Sequence, residues 1–165
     1  MTTLNWFKKH LSSMFTAKGV SYSNGFVSRP TFYSGVGHRD NVYKSPQRFD
    51  YRLWNTLVFN AEDSSPFCKN KMSIKYTFYP CYASCLTRDR LNMIAEILNV
   101  PVKFRLDGDC LYADEMKCDY IFVYPGLHEI IYHVHGVDMD TEERNDYQVI
   151  KMYDKKGVRW VWQTI

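Results

Sequence analysis

Met72, Ile74, Tyr76 and Phe78 alternate with Ser73, Lys75, Thr77 and Tyr79. Successive side chains of an extended chain point to opposite sides, so this two-residue period describes a strand buried on one face. The pattern returns where Val102, Phe104 and Leu106 alternate with Lys103 and Arg105, ahead of the turn pair Asp107-Gly108 and a return strand over 110–113. Further strands are expected at 120–124 and 130–137, split by Pro125-Gly126. Residues 147–153 and 158–162 read as a closing hairpin around Asp154-Lys155-Lys156-Gly157. A chain with this rhythm folds around a sheet made mostly of antiparallel neighbours.

Two segments follow the helical period instead. Over 3–16, Leu4, Phe7, Leu11, Met14 and Phe15 fall on one stripe, with Lys8, Lys9 and Ser12 off it. Over 88–98, Leu91, Ile94, Ala95 and Leu98 form a buried stripe, Thr87 is the expected cap, and Pro101 the stop. Between 19 and 48, Ser23-Asn24-Gly25 reads as a turn between Val20-Ser21-Tyr22 and Phe26-Val27, and Pro30 and Gly35-Val36-Gly37 then break any regular element, which predicts an irregular basic region. The expected fold class is α+β: a mostly antiparallel sheet with two helices packed on one face. It is expected as a single domain over 1–165: an N-terminal helix in 1–18, the irregular basic region in 19–48, and a sheet with one helix near 87–99 in 49–165.

Composition limits the function classes. Residues 1–105 hold 15 Lys and Arg against 6 Asp and Glu, while residues 106–165 hold 6 against 12. This polarity predicts a basic surface opposite an acidic one, and hence partners chosen by charge. Five cysteines without a CxxC pair suit free thiols in a reducing cytosol. A zinc site from Cys68, Cys81 and Cys85 has no standard spacing. No signal peptide is expected, and no run is long enough to span a bilayer. The sequence has no nucleophile elbow, Walker loop or dinucleotide fingerprint, and Gly35-Val36-Gly37 lacks the context of one. No cofactor is expected, and no motif identifies a reaction.

Two groups of residues carry candidate sites. Lys8, Lys9, Lys18, Arg29, Arg39, Lys44, Arg48 and Arg52 lie among Trp6, Tyr22, Tyr33, Tyr43, Tyr51 and Trp54. Cations neutralise phosphates and aromatic faces stack on unpaired bases, so these eight are the candidate nucleic-acid contacts. The alternative is His133-Val134-His135, whose imidazoles share one side of a strand and, with Asp138, Asp140 and Glu142 following, suit zinc or manganese. On that reading the chain is a small metal-dependent enzyme such as a nuclease.

Three stretches, Asn5-Trp6-Phe7-Lys8-Lys9, Arg48-Phe49-Asp50-Tyr51-Arg52-Leu53-Trp54-Asn55 and Asp154-Lys155-Lys156-Gly157-Val158-Arg159-Trp160, resemble the host-takeover proteins of large T-even-type phages, and among these the Alc-type transcription terminators. The resemblance implies a phage-encoded, non-enzymatic inhibitor in the cytoplasm of an infected bacterial host. It would bind host RNA polymerase and stop elongation on DNA with unmodified cytosine, touching nucleic acid as template DNA or nascent RNA. An inhibitor of another host defence or replication protein would have a similar sequence.

Overall fold

The computed structural model describes residues 15–16, 19–20, 25–30, 38–45, 48–64, 74–137 and 140–164, with the backbone alone before residue 48 and at 163–164. Strands β1 (Phe15–Thr16) and β2 (Gly19–Val20) form a two-stranded ladder. They are followed by β3 (Gly25–Pro30), β4 (His38–Ser45), β5 (Arg48–Leu53), β6 (Thr56–Asp63) and β7 (Ile74–Phe78). Helix α1 (Cys85–Ile97) leads to the hairpin β8 (Phe104–Asp107) and β9 (Cys110–Ala113). The chain returns through β10 (Cys118–Tyr124), β11 (Glu129–Val134), β12 (Tyr147–Asp154) and β13 (Gly157–Thr164).

Nine of these strands form one sheet in the order β13-β12-β11-β10-β7-β6-β5-β4-β3, with every pairing antiparallel. Its buried side carries Phe49, Tyr51, Phe59, Phe78, Ile121, Val123, Ile130 and Tyr132. These residues fall in register across the sheet, as in Phe59 opposite Phe78 and Ile121 opposite both Phe78 and Tyr132. Leu91, Ile94 and Ala95 of α1 and Phe104 and Ala113 of the β8–β9 hairpin close this core.

The expected arrangement of two helices packed on one sheet face is corrected here. Among the described residues there is one α-helix, and the β8–β9 hairpin shares its layer. The helix expected over 3–16 lies outside the described residues except at its end, where Phe15–Thr16 pair with Gly19–Val20 as strands. A β-branched threonine beside an aromatic ring suits a pleated ladder. The stretch 19–48, expected to be irregular, contains β3 and β4, which join the sheet through β5.

Helix α1 also starts earlier than its spacing suggests. Ser84 is the cap: its Oγ accepts from the Thr87 backbone N–H at 3.0 Å, and the two hydroxyls lie 3.0 Å apart. Asn99, not Pro101, ends it. Its φ of +56° lets the Val100 N–H reach the Ala95 carbonyl at 2.8 Å and its own N–H reach that of Glu96 at 3.2 Å. This paired closure satisfies carbonyls that a helix end otherwise leaves open. It turns the chain so that Val100 and Val102 enter the core.

Candidate functional site

Three features can carry chemistry or recognition. The first is built where β10, β11 and the segment before β12 meet. Tyr120 pairs with His133 across β10 and β11, and their rings stack at 4.4 Å. His133 Nε2 lies 3.6 Å from Asp146 Oδ2, and His135 Nδ1 lies 3.6 Å from Asp119 Oδ1. Arg144 joins the two halves, with its Nε 2.8 Å from Asp146 and its Nη2 on Asp119. This guanidinium holds the Asp146 carboxyl below its usual range, helped by the Gly136 backbone N–H. Gly136 keeps the segment close: a Cβ there would meet the Asn145 carbonyl oxygen at 2.2 Å.

The two histidines expected to work together are thus neighbours of one cluster. The carboxylates beside them are not the expected ones. Asp138 lies outside the described residues, Asp140 and Glu142 are exposed, and Asp119 and Asp146 take the place next to the rings. Asp119 precedes His133 in sequence by a whole hairpin, so only the β10–β11 register reveals it.

The second feature sits at the layer boundary. Lys151 is 7% exposed, and its Nζ donates to the Pro101 carbonyl and, at 3.2 Å, to Asp114 Oδ2. The Tyr132 hydroxyl donates to the same carboxylate oxygen. Burial, reinforced by that negative neighbour, pushes the Tyr132 phenol upward. Asp114 also accepts from the Lys103 N–H at 3.2 Å. Lys151 and Asp114 border an open cleft of about 580 Å³ that Asn92, Glu96 and Val102 also line. Sequence reading missed this group, because a lone lysine on a strand reads as a solvent-facing residue.

The third feature is an edge. Among the described strands β13 ends the sheet, and Val158, Trp160, Val161 and Trp162 are 48–63% exposed. Trp160 leans on Tyr132 at 5.7 Å and carries Lys151 Nζ at 4.9 Å from its ring centre, while Trp162 contacts Tyr147 at 5.6 Å.

Five of the eight candidate nucleic-acid contacts lie on the adjacent strands β3, β4 and β5. Lys8, Lys9 and Lys18 lie outside the described residues. Arg29 sits on β3, and Arg39 and Lys44 on β4, where the backbone alone is described. Arg48 and Arg52 on β5 share the Asp50 carboxylate, and Arg48 also approaches Glu62. Elsewhere Arg105 pairs with Asp107 and Glu115, and Arg144 with two aspartates. These cations are paired with carboxylates, while the side chains of residues 1–47, on which the expected basic side largely rests, lie outside the described ones. Of the cysteines weighed as zinc ligands, Cys81 and Cys85 are exposed free thiols and Cys68 lies outside the described residues. No helix among the described residues is long and apolar enough to cross a membrane. No protein-family model, curated protein or solved structure matches this chain.

Proposed function

We propose that the chain acts by binding a larger protein and not by catalysis, with β13 as the docking strand. The observation that carries this reading is the run of exposed apolar residues Val158, Trp160, Val161 and Trp162 on a sheet edge. An edge strand offers unpaired backbone groups for a partner's strand, and tryptophans bring large contact areas at low entropic cost. The partner we propose is RNA polymerase of a bacterial host infected by a phage that encodes the chain. The sequence resemblance to phage transcription terminators supports that partner, and the tail quoted for it includes the start of β13. Binding would arrest elongation on host DNA with unmodified cytosine. Lys8, Lys9, Lys18, Arg29, Arg39 and Lys44 supply the charge by which template DNA or nascent RNA would join the complex.

The test is retention of purified bacterial RNA polymerase on the immobilised full chain. The wild type retains polymerase, and the Trp160→Ala/Trp162→Ala double variant loses retention by roughly tenfold or more, as for paired aromatic anchors. Absence of any polymerase subunit on the wild type overturns the proposed partner. Equal retention by the double variant overturns the proposed strand.

A further inference from the structure

We infer that Asp119, His133 and Asp146 form a binding site for a divalent transition-metal ion, and that Arg144 holds the place of the cation in the metal-free protein. The inference is independent of the docking strand. Potential ligand atoms of these three residues lie within 4.8 Å of one another. Metal–ligand bonds of about 2.1 Å in tetrahedral array put neighbouring donors about 3.4 Å apart. The His133–Asp146 separation of 3.6 Å is close to that spacing and too long for a hydrogen bond. One imidazole nitrogen with two carboxylates suits Zn²⁺ or Mn²⁺, and His135, 3.6 Å from Asp119, lies outside this three-residue group.

An ion-pair network does not account for the histidines. Arg144 is neutralised by the two aspartates alone. His133 adds a ring held by stacking on Tyr120, with a buried Nδ1 that has no hydrogen-bond partner among the described residues. Burying such a nitrogen carries a cost that the arginine pairs do not offset. A metal on Nε2 would fix the ring proton on Nδ1 and leave that atom as it is; what it would supply is a partner for Nε2, which at 3.6 Å from Asp146 Oδ2 is too far for a hydrogen bond. The ion would tie β10, β11 and the segment entering β12 into one unit and release the Arg144 guanidinium to solvent.

The test titrates metal-depleted full-length protein with Co²⁺ and reads its visible absorption, with Zn²⁺ as competitor. Wild type saturates with one ion, Zn²⁺ displaces it, and the spectrum lacks a thiolate-to-cobalt charge-transfer band. Asp146→Asn and His133→Ala each weaken binding by roughly tenfold or more, the scale expected from loss of a metal-site group. Arg144→Gln, which removes the competing cation and both of its ion pairs, strengthens it. Circular dichroism of each variant separates lost binding from lost folding, and the near-isosteric Asp146→Asn keeps the test decisive if His133→Ala does not fold. Three results overturn the inference: no saturation in either wild type or Arg144→Gln, unchanged affinity in folded Asp146→Asn, or a thiolate band that places the ion on cysteine.

Discussion

A thiol under a sheet is a different reagent from a thiol on a loop. Cys118 is buried, and desolvation, with Asp119 and Asp114 adding negative charge nearby, pushes its pKa to about 12. A raised thiol pKa keeps the group protonated at neutral pH, and the thiolate is the nucleophile. Cys81 and Cys85 are exposed. Maleimide labelling of native protein at neutral pH should therefore modify Cys81 and Cys85 quickly and Cys118 only after unfolding. Peptide mass mapping over a time course reads the order, and early labelling of Cys118 would contradict the burial. None of this was legible in the sequence, where the cysteines differ only in position. Their differences arise from register: Cys118 lies opposite Val134 on the core side of β10.

Elements were read well where one periodicity ran unbroken. The stripe Leu91, Ile94 and Ala95 lies in the core as its spacing required, and the closing hairpin turns at Lys155-Lys156 between Asp154 and Gly157. Boundaries were read less well, because caps are decided by single hydrogen bonds: Ser84 and Asn99 set the ends of α1 while Thr87 and Pro101 drew the attention. The attachment of α1 to β8 was not legible at all. Asn92 donates to the Phe104 carbonyl at 3.0 Å and accepts from the Phe104 N–H at 2.8 Å, so its amide acts as a strand neighbour for β8. Asn92→Ala leaves both backbone groups without that partner. The expected loss is about 1–3 kcal/mol in urea unfolding, with faster amide exchange at Phe104. A stability equal to wild type would mean that water replaces the side chain without cost.

Across the whole molecule, the Lys151–Asp114 contact links the sheet to the layer above it, since Lys151 belongs to β12 and Asp114 follows β9. Removing one member of a buried pair strands the other charge. Asp114→Ala should cost about 3–5 kcal/mol, and Asp114→Ala/Lys151→Met should recover part of that loss. Urea titration of the single and double variants measures both, and a double variant weaker than the single would remove the pair as the cause. The pairing depends on two residues far apart in sequence, so charge counting could not find it. That same counting sums charge along the chain and carries no record of cross-strand pairing such as Arg48 opposite Glu62.

In the nine-stranded sheet, each described strand lies beside the one next to it in sequence except at β7 and β10, where α1 and the β8–β9 hairpin intervene. Such a meander can assemble by adding one hairpin at a time, so little loop entropy is lost before each new ladder forms. The step joining β7 to β10 is the exception, because it must close the longest excursion in the order. The pace at which this chain reaches its native state should therefore be governed by that junction, in the middle of the sheet, and not by either end.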